Sequence, residues 1–403
     1  MSRRVRTAFA LVVLIGALGL LWLYEHKLWS TPETRALDSL LEQTAAESPS
    51  APLPEPALAP PLQASAAGAP PSCPHCIAIA LIGVDSRLGD PTAHADANHV
   101  LLLDLQQGRI TIVAIPRDTP ADAGFPDTSQ YNKLANVRAN RGLQAHLATL
   151  AELVGVERIH YYAEAGFSHA LALFRLLGYE QPSELLRVLR ARTGIWGDDY
   201  HRVFMQAHFL RQQLLRHWET LSTPWGIALL RAGLGLLHTN LTAAVVLRLA
   251  DSLRARGFPI DSSAIRIVVY GVPLHNAPVY DLTAPEVVAH LAQQLRQYHA
   301  HRASEGDAQA RVREHLESVL RQARAADSAG QPWRIRQLLE WTVLQRAWWQ
   351  LSDAELREHY RRECVQLLSS AYNRLRRRDR EEALRQLLLQ EDSTEALVRA
   401  ASP

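Results

Sequence analysis

The chain has 403 residues, 47% of them hydrophobic and 21% charged, with a formal net charge of +2. That length supports two or three domains, and the composition is ordinary for globular protein. The near-neutral charge excludes a global basic field, so no nucleic-acid partner is expected and any anionic ligand must be held by a local cluster.

Residues 1–7 form a basic tail with Arg3, Arg4 and Arg6, and 17 uncharged, mostly apolar residues follow, Ala8 to Tyr24. A membrane span needs about 17–25 such residues. A cleaved signal peptide would want small residues after the apolar run, and "LLWLYEHK" offers none. A single-pass transmembrane anchor over 8–24 is therefore expected. The arginines would hold the N-terminus in the cytoplasm and leave the rest of the chain exported. Residues 25–75 read as a Pro/Ala-rich linker, a short helical stretch followed by an extended, semi-stiff spacer. It ends in "CPHC", Cys73 to Cys76. In an exported chain a local disulfide is plausible there. A thioredoxin-like site would instead follow a strand and open a helix. Cys364 sits in a helical pattern and reads as a buried thiol.

The first folded domain is expected over 76–298. "CIAIALIGVD", "NHVLLLDLQ" and "RITIVAIP" read as buried strands, the last two joined by the hairpin signal "QQG". Helical periodicity covers 142–155, 165–177 and 203–217, with further strands at 158–165 and 264–273. A helix capped by Thr283 closes the domain. The fold class is α/β, a mixed β-sheet covered by helices. Residues 299–403 hold no strand candidate and read as an all-α C-terminal region. It has a capping box Ser352-x-x-Glu355, and Trp333, Trp341, Trp348 and Trp349 are expected to pack its helices together. "RLRRRDR" (374–380) reads as a solvated helix face, with anionic lipid or glycan as the alternative ligand.

Three charged clusters follow or precede strands: Asp85 and Arg87 after the first, His94 and Asp96 before the second, Arg117 and Asp118 after the third. Singly, each Asp is best read as a cap and each Arg as its partner. Together they are not: a hairpin of strands two and three brings Asp96 beside Arg117. A first strand parallel to the third adds Asp85 at the same sheet edge, where sites in open α/β sheets lie. Two carboxylates at one point repel unless a cation sits between them. Their hard oxygens suit Mg²⁺, which shares phosphate oxygens. Downstream, Arg190 and Arg192 would share one face of an extended segment. Arg202 and Gln206, four apart, share a helix face behind Asp199. Arginine binds phosphate bidentately and keeps its charge, so Arg117, Arg190, Arg192 and Arg202 could cradle a pyrophosphate.

"IALIGVDSR", "AD", "VLLLDL", "ITIVAIPRDT", "YNKLANV" and "RARTGIWGDDYHRVFMQAHF" stand in the order seen in the LytR-CpsA-Psr (LCP) family, and the chain resembles that family over about residues 77–290. The resemblance implies an α/β/α domain and a Mg²⁺-dependent phosphotransferase. Such an enzyme moves a glycopolymer from a polyprenyl-pyrophosphate carrier to an envelope acceptor such as peptidoglycan. By position, Asp85 and Asp96 would hold the metal. Arg87, Arg117, Arg190, Arg192, Arg202 and Gln206 would bind the pyrophosphate, Asp199 would orient the arginines, and Asp118 would buttress Arg117. The catalytic set is then Asp85, Arg117, Asp118, Asp199 and Arg202, and the lipid tail would lie against "AGFSHALALFRLL". The protein would sit in the bacterial inner membrane with its main domains periplasmic.

Three departures from the family pattern bear on this. His94 stands where an arginine is usual, the segment from Gly178 to Arg190 is short, and the helical C-terminal region has no counterpart in the family core. That region is available to recruit a protein partner, cover the site or bind the wall. The other readings are a pyrophosphatase with water as acceptor, and a non-catalytic envelope scaffold that keeps the fold.

Overall fold

The computed structural model describes residues 73–86, 88, 92–271, 279–300 and 308–401. The expected anchor over 8–24, nearly all of the linker, and Arg87 lie outside the described residues. Among those described, no helix is long and apolar enough to cross a membrane.

Six strands form one mixed sheet: β1 (Ile77–Ser86), β2 (Ala93–Asp104), β3 (Arg109–Ile115), β4 (Tyr161–Ala165), β5 (His238–Thr239) and β6 (Ile265–Val269). Their order is β5-β4-β1-β2-β3-β6. β2 is antiparallel to both β1 and β3, so β1 and β3 run parallel and end at the same edge. β4 and β6 flank this trio in parallel. The β2–β3 hairpin turns through Gly108 at φ +63, where an added Cβ would lie 2.7 Å from that of Arg256. Only glycine combines that backbone angle with that approach.

Strand alternation supplies a core on each face. Ile77, Ile79, Leu101, Leu103, Ile110 and Ile112 pack against α4 (Asp199–His217) and α6 (Ala243–Arg254). Ala78, Ala80, Val100, Leu102, Val113 and Ile115 pack against Leu134, Leu150 and Val154 of α1 (Leu134–Val154). The helix-covered mixed sheet is thus present, with β2 starting five residues earlier than its apolar run because "AHADA" is already extended. The chain also forms α2 (Phe167–Leu176), α3 (Pro182–Arg190), α5 (Pro224–Leu236) and α7 (Pro285–Ala300). Thr283 gives its hydroxyl to Asp281 rather than capping α7. Cys73 and Cys76 are disulfide-bonded at the entry to β1, and Cys364 is a buried thiol.

Glu164, at the end of β4, ties α1 to the sheet through two bonds from Arg138, 2.6 and 2.9 Å, with His238 at 3.5 Å. Burial pushes this carboxyl up, but the hydrogen bonds from His238 and Arg138 outweigh it and hold it down to about 2.

The C-terminal region is helical: α8 (Ala308–Ser328), α9 (Pro332–Leu344), α10 (Ala354–Arg374) and α11 (Arg378–Ala401). Trp348 and Trp349 are central to its core. Trp333 and Trp341 are not, being 58% and 42% exposed; Ile335, Leu339 and Val343, four apart, take the inner face of α9 instead. The cap of α10 is Asp353, which accepts from the Leu356 amide at 2.9 Å, not the neighbouring Ser352. In 374–380, Arg374 pairs with Asp327 and Arg377 with Asp379 on the exposed surface.

This region docks on α2 and α5. Ala172 and Leu236 join its apolar core. Arg175 donates to the carbonyls of Trp349 (2.6 Å) and Leu351 (2.9 Å), and Arg346 donates to that of Gly235 (2.9 Å). Arg346 also faces Glu391 at 3.4 Å, with side chains 6% and 0% exposed, and Trp349 donates to the same carboxylate at 3.0 Å.

Two outcomes follow. Arg346→Ala leaves Glu391 as an unpaired buried charge and should cost about 3–5 kcal/mol, read as a lowered thermal unfolding midpoint. The double replacement Arg346→Met/Glu391→Leu should recover most of it. For Glu164, the folded carboxyl titrates below its unfolded value near 4.5. Its stabilisation is therefore complete above that pH and lost as pH falls toward about 2. The melting-temperature gap between wild type and Glu164→Gln should narrow across that window; a constant gap would show that the pairing is not the cause.

Candidate functional site

The site is built at the edge where β1 and β3 end and β2 begins. Asp85, next to last in β1, pairs in register with His94. Gly83 faces Ala97 and Val84 faces Ala95, so Asp96 is the extra residue of a β-bulge. A bulge re-aims a side chain, and this one sets Asp96 where two cavities meet.

After β3, the chain turns as Thr119 bonds back to the Pro116 carbonyl through its amide (3.1 Å) and hydroxyl (2.8 Å). The carbonyls of Arg117 and Thr119 accept from the amides of Ala135 and Leu134, which seats the turn on the start of α1. Arg117 reaches Asp96 with Nη1 to Oδ1 at 2.5 Å. Asp118 gives its carboxylate mainly to Lys133, at 2.8 Å, with the Arg117 Nε at 3.7 Å. Burial raises the Asp118 carboxyl, yet Lys133 and then Arg117 hold it below its usual range. Asp96 goes the other way: burial raises it most, Arg117 opposes this, and the charge of Asp85 adds to the rise.

The arginine pair is arranged differently from the extended reading. Arg190 is the last residue of α3 and Arg192 lies beyond the helix end, so the two diverge instead of sharing a face. The Arg190 guanidinium stacks 4.0 Å over the Phe167 ring. Arg192 turns to Asp199, Nε to Oδ1 at 3.2 Å. Asp199 opens α4 behind the cap Asp198, whose carboxylate accepts from the His201 amide at 2.8 Å. Its Oδ1 also takes Arg202 Nη2 at 2.6 Å, and the same nitrogen lies 3.4 Å from the Asp96 carbonyl. Arg202 is buried, 3% exposed. One turn on, Gln206 donates to the Leu189 carbonyl at 2.8 Å, tying α4 to α3. The described site residues Asp85, Asp96, Arg117, Asp118, Arg190, Arg192, Asp199, Arg202 and Gln206 thus gather around one edge; Arg87 lies outside the described residues.

Two cavities open on this cluster. One, of about 330 Å³, is walled by apolar side chains of β1, α2, α3 and α4, with Asp96, Arg190, Arg202 and Gln206 in its lining. Phe167, Ala170, Leu173 and Phe174 of "AGFSHALALFRLL" form part of that wall. Leu186 and Leu189 of α3 belong to it too, so the short 178–190 segment supplies part of the wall. The other, of about 860 Å³, is a polar cleft holding Asp85, His94, Asp96 and Arg117.

Sequence reading missed Lys133, whose role emerges only when the turn after β3 folds onto α1, and His99, which stands in the apolar run "NHVLLLDLQ" and drew no notice as a site residue. His99 lies in the apolar cavity beside Gln206 and Arg202, and burial pushes its imidazole down to about 4. The depressed value means that the neutral form is favoured above it. In ¹⁵N-resolved NMR of the ring, His99 should stay neutral from pH 8 to pH 5; titration near 6.5 would show a solvated ring instead.

Residues 68–170 match the model of the LytR_cpsA_psr family. No curated protein matches the chain. Among solved structures, Bacillus subtilis TagV is similar at 17% identity, covering 55% of this chain and 96% of that one with a TM-score of 0.39. A Streptococcus agalactiae protein is similar at 16% identity, 57% and 90% coverage and a TM-score of 0.38. B. subtilis TagT is similar at 14% identity, 60% and 98% coverage and a TM-score of 0.33. The stretch that matches the LytR-CpsA-Psr family, residues 68–170, carries Asp85, Asp96, Arg117 and Asp118.

Proposed function

We propose that the chain is a membrane-anchored, Mg²⁺-dependent phosphotransferase that moves a glycopolymer from a polyprenyl-pyrophosphate carrier to an envelope acceptor such as peptidoglycan. LytR-CpsA-Psr proteins are known as cell-wall glycopolymer transferases. The observation that carries the reading for this chain is the apolar cavity with Arg190, Arg202, Gln206 and Asp96 in its lining. A greasy chain ending in an anionic head needs that pairing of an apolar wall with fixed cations.

The residues fit a magnesium ion. Asp85 and Asp96 stand on neighbouring strands, and the charge of Asp85 raises the cost of ionising Asp96. Two carboxylates are enough for an ion that keeps waters and shares phosphate oxygens. Bound there, Mg²⁺ would neutralise charge on the phosphates and cancel that repulsion.

The protein's own residues do the rest. Arg190 and Arg202 hold the pyrophosphate at the cavity mouth, with Arg117 and Arg192 closing on it from the sheet edge. Asp199 fixes the orientation of Arg202 and Arg192, and Lys133 keeps Asp118 beside Arg117. An acceptor hydroxyl attacks the glycan-bearing phosphorus. Its P–O bond forms as the bond to the bridging oxygen breaks, and the hydroxyl proton passes to a site carboxylate. Charge gathers on the leaving lipid phosphate, where permanently charged guanidinium groups in a partly dry site stabilise it. With water as acceptor the same site is a pyrophosphatase. The protein would lie in the bacterial inner membrane through residues 8–24, with its sheet domain outside the cytoplasm.

The test is phosphate release from a short polyprenyl pyrophosphate by the full chain in detergent. Release should require Mg²⁺, stop with chelator, and fall about a hundredfold in Arg192→Ala. No release together with no Mg²⁺-dependent binding of the lipid would sink the catalytic reading in favour of a scaffold.

A further inference from the structure

We infer that Cys73, His75, Cys76 and Asp104 form a site for a thiophilic divalent cation of the zinc class, open to the metal while the two cysteines are thiols and shut once they pair. The site lies at the opposite end of β1 from the charged cluster and is independent of the pyrophosphate reading. Cys73 and Cys76 precede β1, and Asp104 ends β2 one position past Leu103, the partner of Ile77, so the two segments meet. The Cys73 sulfur, a ring nitrogen of His75 and a carboxylate oxygen of Asp104 lie within 4.8 Å of one another. His75 Nε2 is 3.7 Å from the Cys73 Sγ and 3.5 Å from the Asp104 Oδ2. Tetrahedral zinc, with bonds of about 2.0–2.3 Å, sets its ligand atoms about 3.3–3.8 Å apart. Both contacts match that edge.

The donor set selects the metal. Two thiolates and an imidazole suit zinc, whereas the carboxylate oxygens of Asp85 and Asp96 suit magnesium. Cys76 supplies the fourth ligand. Its Cα is 5.4 Å from that of Cys73, and its amide donates to the Cys73 carbonyl at 3.2 Å. That turn keeps the two sulfurs together after the bond between them opens. Asp104 is already oriented: its Oδ1 accepts from the amides of Gln106 (3.0 Å) and Gln107 (2.9 Å), which leaves Oδ2 turned to His75. Outer bonds of this kind fix a metal-ligating carboxylate. Behind the sulfurs lie Leu150 and Val154 of the apolar core, with Val156 and Ile159 packed against it, a shell that keeps water from the metal–sulfur bonds.

The chain is made with two thiols here, and they have two fates. Binding the cation forms two metal–sulfur bonds and releases the two thiol protons. Exchange with an external disulfide forms the Cys73–Cys76 bond, reduces that partner to two thiols and removes both sulfur ligands. The structure shows the second state. Metal and disulfide donor therefore compete for the same pair.

The probe is Co²⁺, whose visible spectrum reports tetrahedral geometry and bound thiolate. The full chain in detergent is reduced with a phosphine, which becomes the phosphine oxide as water supplies its oxygen and the two thiol protons. The phosphine is removed under argon and Co²⁺ is titrated in. One equivalent should give the intense bands of a tetrahedral thiolate site. Zn²⁺ should bleach them, and Mg²⁺ in excess should not. His75→Ala and Asp104→Asn, at half-buried positions outside the apolar core, should each weaken Co²⁺ binding about ten- to a hundredfold. The chain left oxidised should give no such spectrum, although Cys364 is still a thiol there. Absence of a tetrahedral thiolate spectrum from the reduced chain overturns the inference. So does binding unchanged in both His75→Ala and Asp104→Asn, which would leave an adventitious dithiol only. A thiolate spectrum that persists in the oxidised chain would also overturn it, by placing the metal at Cys364.

Discussion

The contact between Arg117 and Asp96 joins the end of β3 to the bulge in β2, and the site is arranged around it. Asp96 escapes the strand's alternation only because the bulge leaves it without a cross-strand partner. Arg117 arrives because Pro116 ends the strand and the following turn is bonded to the first turn of α1. Each group stabilises the charge of the other in a half-buried setting, where a lone charge would be costly. Arg202 approaches the same point from α4, tethered by Asp199. Cations from two separate parts of the chain are thereby aimed at one edge, with carboxylates spacing them so that they do not repel each other apart.

Helix α2 carries a second constraint. Its Phe167, Ala170 and Phe174 face the apolar cavity, while Ala172 and Arg175 face the C-terminal helices. Leu173 touches both. A wall so thin depends on what stands behind it. The buried Arg346–Glu391 pair, the Trp349 indole and the Arg175 bonds to two carbonyls fix the helical region against α2 and α5. The C-terminal region is therefore a structural backing of the cavity and is integrated into the same body as the sheet domain. Interior packing transmits displacement poorly absorbed by voids, so loosening that contact would be felt at Phe167 and, through its stacked guanidinium, at Arg190.

The sequence and the structure agree best where one physical rule dominates. The near-continuous apolar runs are β1 to β3, since burial on both faces leaves little else for such residues to do. The meeting of Asp85, Asp96 and Arg117 was legible for the same reason: a hairpin has one topology, and its ends must be neighbours. The helices α3, α5 and α6 were not legible. "PSELLRVLR" is only nine residues long, too short for periodicity to declare itself, and α5 is apolar all round. Consequently Arg190 was placed on an extended segment when it closes a helix, and the separate duties of Arg190 and Arg192 were invisible. The tryptophans of α9 show the converse error. Size and hydrophobicity suggested a core role for Trp333 and Trp341, but helix phase decided it, and phase belongs to Ile335, Leu339 and Val343.

By itself, the amino-acid sequence determined every strand but the two-residue β5, the helical character of the C-terminal region, and which charged residues share the sheet edge, because these follow from apolar runs and from hairpin closure. Only the tertiary structure decided which of those charges touch, that Lys133 and not Arg117 is the nearer partner of Asp118, that His99 lies buried at the cavity, and that the C-terminal helices back the cavity wall. Those outcomes turn on a single-residue bulge, on the angle at which helices cross the sheet, and on contacts between segments more than a hundred residues apart. None of these leaves a period or a motif in the chain.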